Sequence, residues 1–303
     1  MDDCFHKEYY VSRSIPAAAL DKGTRKFYKI QTLETPDRLL LIAGNGRYPE
    51  LIIRGARAAG VRHVTVAAFD GETAAPTLAA GDVVELLRVG QLGRLLDIAR
   101  RSGATHAIMA GQIAPKNLFD LRPDMQALLL LAKIKERNAE TLFGAVAASL
   151  EKIGVPLLPA TRFVEDQLAS EGHIAGPKFK AREKDNAEFG FRIARETSRL
   201  DIGQTVVVKK GTVLAVEAFE GTNETIERAG RVGRGGGLVV KVSKPGQDMR
   251  FDVPVVGETT LEKVAEAGLS GIVAEAGRVL FLDRQHLCAI AEEKRITLYG
   301  IKS

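Results

Sequence analysis

Residues 38–49 read Arg38-Leu39-Leu40-Leu41-Ile42-Ala43-Gly44-Asn45-Gly46-Arg47-Tyr48-Pro49, and this stretch decides the fold class. Leu39 to Ala43 is an apolar run of strand length. Gly44-Asn45-Gly46 turns the chain, and Pro49 suits the first turn of a helix, where the missing N–H costs nothing. Leu51, Ile52, Gly55, Ala56 and Ala59 then recur at helical spacing until Gly60 stops the helix. Val64 to Phe69 is the next apolar strand. A helix from about Gln91 to Arg101 carries Leu92, Leu95, Leu96 and Ala99 on one face, and Thr105 to Ala110 is a strand ending at Gly111-Gln112. Strand and helix in alternation predict parallel βαβ units. Two strands end in glycine, at Gly44/Gly46 and at Gly111. Open α/β sheets bind ligands at that carboxyl edge.

The glycine turn begins like a dinucleotide fingerprint but has Pro49 in place of the third glycine. A helix N-terminus there can hold a phosphate, and a tight turn needing positive φ explains the same glycines. Asp70 ends the second strand only loosely where a ribose-binding acid would sit.

Working outward, residues 1–37 show no clear period and read as an N-terminal extension or oligomerisation arm. Residues 125–150 read as helical, in one or two pieces broken near Asn138. Residues 169–184, with Gly172, Gly176 and Pro177, read as a linker between a Rossmann-like parallel-sheet domain (38–168) and a mixed α/β domain (169–303). In the second half, Thr205–Val208 and Thr212–Ala218 are β-branched runs joined by Lys209-Lys210-Gly211, a hairpin signal. A short helix to Gly230 follows Gly221-Thr222-Asn223. Leu238–Val242, Ile272–Ala274 and Val279–Asp283 read as strands. Thr259 or Thr260 is the expected cap of a helix ending at Gly268, and Arg284–Lys294 reads as the final helix.

The 303 residues are 45% hydrophobic and 27% charged, values that exclude disorder or coiled coil for the bulk of the chain. Two cysteines, Cys4 and Cys288, support neither a disulfide framework nor a four-ligand zinc site, so a reducing compartment is expected. No apolar run reaches the roughly 18 residues of a membrane span. Met1–Phe5 opens with two acids and no apolar region follows, so no signal peptide is expected. The 43 Lys+Arg against 38 Asp+Glu leave +5, a mild excess that suits a solvated surface or anionic partners. Few aromatics and no recognised module argue against nucleic acid as partner.

There is no Walker A sequence, no His-Glu-x-x-His helix and no Gly-x-Ser-x-Gly elbow. His63, His106, His173 and His286 are scattered and read as structural or surface residues. The most suggestive stretch is Glu217 to Thr225. Glu217 and Glu220 close a strand, and Gly221-Thr222-Asn223 turns into a helix, so polar groups at a strand end meet a helix N-terminus that can attract phosphate. Lys241, Lys244, Arg250, Asp252 and Glu275 each fall near a strand end or turn. Hydrolysis of a phosphoanhydride needs cations on the phosphoryl oxygens and a carboxylate or metal to orient water. This half offers both, although a solvated face accounts for the same composition.

These residues make the chain resemble the LpxI family, the UDP-2,3-diacylglucosamine pyrophosphatases of lipid A biosynthesis. The resemblance starts at Leu41-Ile42-Ala43-Gly44-Asn45-Gly46. It continues through Leu200-Asp201-Ile202-Gly203-Gln204, Val213–Ala218, Glu220-Gly221-Thr222, Lys241, Lys244-Pro245, Asp252-Val253-Pro254, Ala267–Ile272 and Glu275-Ala276-Gly277. It implies a magnesium-dependent hydrolase in which water attacks the β-phosphate of UDP-2,3-diacylglucosamine, giving UMP and 2,3-diacylglucosamine 1-phosphate (lipid X). It also implies a cytoplasmic homodimer that holds its ligand between two domains and meets the cytoplasmic face of the inner membrane transiently. By this resemblance Gly44, Asn45, Gly46, Gly111, Gln112, Gln204, Gly221, Thr222, Lys241 and Lys244 contact substrate, and Glu220, Asn223, Asp252 and Glu275 occupy the catalytic positions. The metal ligands stay open.

One departure matters. After Glu220-Gly221-Thr222 the family pattern has a catalytic Asp, and this chain has Asn223. The amide keeps the shape and one acceptor but loses the charge. Either activity is impaired, or another acid such as Glu220 or Glu224 substitutes, or the chain is a non-catalytic binder of a nucleotide-sugar lipid. A second departure is Pro115-Lys116 after Gly111-Gln112, where the family often has a basic residue and then Pro. Membrane contact is expected from the basic residues between Lys178 and Lys184 or from the N-terminal arm.

Overall fold

A computed structural model describes residues 34–113, 123–134 and 138–302. Residues 1–33 of the expected arm and the Pro115-Lys116 departure lie outside the described residues. Residues 35–303 form one compact unit built on two sheets.

The first sheet is parallel, in the order β3-β2-β1-β4, with β1 at Arg38–Ala43, β2 at His63–Phe69, β3 at Val83–Leu87 and β4 at His106–Ala110. That order is one half of a doubly wound nucleotide-binding sheet, with its switch point between β1 and β4. Helices α1 (Tyr48–Ala58) and α2 (Ala75–Ala80) belong to one face, and α3 (Leu92–Ser102) and α5 (Ala139–Lys152) to the other. Side chains alternate along β1. Leu39 and Leu41 are buried in the first core, and Leu40 and Ile42 in the second. Between α3 and α5 lies α4 (Met125–Leu131), capped by Asp124, whose carboxylate accepts from Ala127 N at 2.9 Å and Gly93 N at 2.7 Å. Asn138 caps α5 through Thr141 N at 2.9 Å, so the expected break at Asn138 is a helix start.

The second sheet is mixed, in the order β5-β12-β10-β8-β6-β7. Its strands are β5 (Gly172–Ala175), β6 (Thr205–Lys209), β7 (Thr212–Val216), β8 (Leu238–Lys241), β10 (Gly271–Glu275) and β12 (Thr297–Ile301). Strands β8, β10 and β12 are parallel, while β6 runs against β8. The expected hairpin is β6–β7, turning at Lys210, which has φ +50°, and Gly211. One face carries α6 (Ala181–Arg199). The other carries α7 (Thr222–Gly233), α8 (Glu258–Glu266) and α9 (Arg284–Glu293). A two-stranded parallel pair, β9 (Val255–Val256) with β11 (Leu280–Phe281), joins the halves: Leu280 belongs to the first core and Phe281 to the second.

The structure differs from the sequence reading in particular places. The stretch read as a linker contains β5 and the first turn of α6. Strand β5 exists because Gly172, His173 and Ala175 pair with β12, more than a hundred residues away. Helix α6 buries Ala187, Gly190, Ala194 and Ser198, a stripe of small residues that lets it lie close on β6 and β8. A Cβ at Gly190 would stand 2.6 Å from Val240 and 2.8 Å from Val208. Without large side chains, that stripe is invisible to apolar periodicity. Helix α8 starts after Gly257 with no side-chain cap, so neither Thr259 nor Thr260 caps it. Strand β3, edge-placed with Val83, Val84 and Leu86 exposed, also escaped the reading.

Candidate active site

The antiparallel run of β6 against β8 brings three strand ends to one edge. Thr205 opens β6 opposite Lys241, which closes β8, and Glu217 follows the end of β7. Glu217 N donates to Thr205 O at 2.8 Å. The approach needs Gly203, where a Cβ would stand 2.0 Å from Glu217 O. Glu275 ends the parallel β10 on the same edge. From Gly221, at φ +86°, α7 departs with no side-chain cap, leaving its N-terminus open to an anion.

A chain of polar contacts lies across this edge. Lys241 Nζ donates to Thr222 Oγ1 at 2.9 Å, and Thr222 Oγ1 donates to Glu217 Oε1 at 2.7 Å. Lys241 is 7% exposed. Burial pulls its ammonium below the ordinary lysine range, and the Glu217 and Asp252 carboxylates pull it back up. Glu217 is 8% exposed, and its Oε2 has no hydrogen-bond partner among the described residues. Gln204 Oε1 is likewise buried and unpartnered. Lys244 is half-buried, with Nζ on Asp201. That bond raises its ammonium above the usual range, against burial, with help from Asp201, Asp252 and Glu140. Asp252 is exposed, and its charge reaches both lysines.

Four of the acids at or near this edge are thus in different situations. Glu275 is 1% exposed and both its oxygens are taken: Oε1 by Arg195 Nη1 at 2.8 Å and Oε2 by Ser243 N at 2.9 Å. Glu220 accepts from Arg228, from Thr225 Oγ1 at 3.2 Å and from Ala218 N at 3.1 Å. Bonds from its own backbone N–H and from Arg228 hold its carboxyl below the usual range. Asp252 and Glu217 retain free acceptor capacity. Asn223, the second residue of α7, makes no side-chain hydrogen bond among the described residues.

The glycine turns lie elsewhere, at the switch point of the first sheet. Gly44 N donates to Ala110 O at 2.9 Å, and Asn45 and Gln112 exchange backbone hydrogen bonds of 2.6 and 3.1 Å. Gly111, at φ +93°, is confined to glycine because a Cβ would stand 2.6 Å from Asn45 O. Asn45 Oδ1 accepts from Gly46 N at 2.6 Å, so that N–H is occupied. Among the described residues no hydrogen bond or ion pair joins this lace directly to the lysine edge. The two halves meet instead through Arg47–Asp283 (2.7 Å), Ala160 N on Met249 O (2.7 Å) and the Phe143–Phe251 ring pair, with centroids 5.9 Å apart. Phe251 adjoins Asp252, so α5 flanks the loop that carries it.

Of the residues singled out in the sequence, Gln204, Thr222, Asn223, Lys241, Lys244 and Asp252 lie at this edge. Glu217, Arg195 and Ser243 lie there too and were not among the candidate site residues. Glu217 was visible as a strand-closing acid, but its burial was not. His63, His173 and His286 lie with Asp82, Gly176 O and Glu258, none of which belongs to either candidate region.

Among the described residues no group of three His, Cys, Asp or Glu is placed to hold a metal. The orphaned oxygens of Glu217 and Gln204 are nevertheless hard donors, of the kind Mg²⁺ accepts. Mg²⁺ commonly keeps several waters and takes one or two carboxylates plus substrate phosphates. These donors fit an ion carried largely by a diphosphate, which Glu217 would meet with charge and Gln204 or Asn223 with a neutral oxygen. Such an ion would neutralise phosphoryl oxygens.

Two family models match in order: the LpxI N-terminal domain over residues 38–167 and the LpxI C-terminal domain over residues 170–299. The chain is also 31% identical over 275 residues to the UDP-2,3-diacylglucosamine pyrophosphatase LpxI of Caulobacter vibrioides, covering 87% of this chain and 97% of that protein. Among solved structures, the biotin carboxylase domain of the Hydrogenobacter thermophilus 2-oxoglutarate carboxylase aligns with 65% of this chain and 41% of its own. Its 15% identity and TM-score of 0.25 carry no argument.

Proposed function

The chain belongs to the LpxI family, and on that premise we propose that it hydrolyses the pyrophosphate of UDP-2,3-diacylglucosamine to UMP and 2,3-diacylglucosamine 1-phosphate, using Mg²⁺. The observation that carries the reading is the convergence of Lys241, Lys244 and the uncapped N-terminus of α7 on one sheet edge. Such a site suits a diphosphate, because it sets cations and main-chain N–H groups against oxygens whose charge shifts during cleavage. In this reading Lys241 and Thr222 hold a phosphoryl group, with Glu217 and Asp252 opposing the pull of burial on the Lys241 ammonium. Lys244 adds a second cation. Asn223 faces the reacting water as a neutral orienting group, and Asp252 is the solvent-side acid. Glu220 and Glu275 shape the site through Arg228 and Arg195. The switch-point turn of Gly44–Gly46 with Gly111-Gln112 forms the far wall of the cleft.

The substrate carries two acyl chains. Leu200, Ile202 and a fully exposed Phe219 flank Gly203 and Glu217, offering apolar surface beside the polar edge. Lys178, Lys180, Arg182 and Lys184 are exposed and suit an anionic membrane surface. Among the described residues no helix is long and apolar enough to cross a membrane. We extend the proposal to a cytoplasmic homodimer that contacts the inner membrane transiently.

The test is UMP release from UDP-2,3-diacylglucosamine with Mg²⁺ and with EDTA, for the chain as it stands and for Asn223→Asp. The expected result is Mg²⁺-dependent release that rises at least tenfold in Asn223→Asp. Equal, nonzero rates would refute the role given to position 223. The second reading, a non-catalytic binder of the same lipid, is favoured by Asn223 itself. It is supported if the parent binds the lipid without product while Asn223→Asp turns it over. If neither variant binds the lipid, the substrate is wrong.

A further inference from the structure

Glu217 poses a physical problem. A carboxylate oxygen buried without a partner is costly, yet Glu217 Oε2 is buried and unpartnered, while Oε1 is held by Thr222. Neighbouring charge does not account for both oxygens. Lys241 hydrogen-bonds Thr222 rather than Glu217, and the two lysines at this edge face four carboxylates, Glu217, Asp252, Asp201 and Glu140. Two negative charges are left over. The other acids offer no alternative inside the site: Glu275 and Glu220 are saturated by their partners, and Asp252 is exposed. Position 223, where a carboxylate would stand beside the same phosphates, is an amide.

We propose that Glu217 Oε2 is the anionic protein ligand of the divalent cation that a diphosphate brings to this edge, so that the carboxylate stands at the end of β7, five residues before α7, rather than at position 223. Thr222 spends its hydroxyl proton on Oε1 and so orients Oε2. Gly203 lets the β7 end close on β6, which fixes where Glu217 stands. Lys241, held by Thr222, meets phosphoryl oxygens beside the ion. The inference rests on the phosphoanhydride reading only for the identity of those phosphates.

The test is binding of Mn²⁺ to the full-length chain, read by water-proton relaxation with inorganic pyrophosphate and, separately, with UDP. The proteins are the parent, Glu217→Gln, Asn223→Asp, Glu217→Gln with Asn223→Asp, and Glu293→Gln as an exposed-acid control away from the edge. Expected is at least a tenfold loss of Mn²⁺ affinity in Glu217→Gln, little change in Glu293→Gln, and recovery to within about threefold of the parent in the double variant. Should Glu217→Gln fail to fold, Glu217→Asp, which keeps the charge but draws it back by one methylene, is expected to lose at least threefold. Parent-like Mn²⁺ binding in Glu217→Gln, or in a folded Glu217→Asp, overturns the assignment. So does a Glu217→Gln protein that loses Mn²⁺ but regains none with Asn223→Asp, because a mere counter-ion of Lys241 would behave that way. A parent that binds no Mn²⁺ with either diphosphate overturns it too. Loss with pyrophosphate but no binding with UDP leaves the assignment standing and refutes the nucleotide reading instead.

Discussion

Glu275 separates a structural carboxylate from a reacting one. The perturbation is Glu275→Gln. The side chain is 1% exposed, with Oε1 on Arg195 Nη1 at 2.8 Å and Oε2 on Ser243 N at 2.9 Å. The amide oxygen keeps the Ser243 bond. The amide nitrogen then faces the guanidinium, donor against donor, and the charge-assisted bond is lost. Such a bond contributes about 1.5–3 kcal/mol. Arg195 has 39% of its side chain exposed and can turn to water, so no buried cation is left stranded, and the lower part of that range applies. A loss of about 2 kcal/mol lowers the melting temperature by roughly 4–8 °C in a domain of this size. The assay is thermal unfolding by circular dichroism, paired with UMP release per folded molecule at a temperature well below both transitions. The expected outcome is a lower melting temperature with turnover within about twofold of the parent, a spread of about 0.4 kcal/mol. An unchanged melting temperature with collapsed turnover would refute the reasoning and put Glu275 back in the chemistry.

Three further outcomes follow from the same geometry. Gly203→Ala forces a Cβ to 2.0 Å from Glu217 O, a main-chain overlap no rotamer relieves, and is expected to cost about 1–3 kcal/mol in urea unfolding; parent-like stability would mean that β7 and β6 do not close as described. Lys241 has a folded pKa below its unfolded value, so between those two values the unfolded chain holds more protons and stability rises with pH. The parent's stability is therefore expected to gain on that of Lys241→Met as pH climbs toward 10.5, and a constant or shrinking difference would contradict the buried ammonium. Replacing Lys178, Lys180 and Lys184 by Gln is expected to weaken binding to phosphatidylglycerol vesicles by roughly a hundredfold at low salt, whereas unchanged sedimentation with vesicles would move the membrane contact to the N-terminal arm, which deletion of residues 1–37 tests.

Local chemistry alone made β1, α1, β2 and β4 of the first half legible, but not the exposed edge strand β3. The run Leu39–Ala43, the glycine turn and the spacing of Leu51, Ile52 and Ala56 specify a strand, a turn and an amphipathic helix, because each signal is complete within about 20 residues. The β6–β7 hairpin was equally legible, since Lys209-Lys210-Gly211 lies between two β-branched runs. The resemblance to a family rested on short ordered motifs, and the family models match both halves. Tertiary structure decided the rest. Strand β5 forms only because β12 lies beside it, and α6 packs through small residues whose value appears only against Val208 and Val240. The acids were indistinguishable as letters. Burial and the occupancy of each oxygen, by Arg195 and Ser243 at Glu275, by Arg228 at Glu220 and by Thr222 alone at Glu217, separate counter-ion, loop anchor and candidate ligand. Those partners lie up to 80 residues away in the chain, and no spacing rule brings them together before the sheet does.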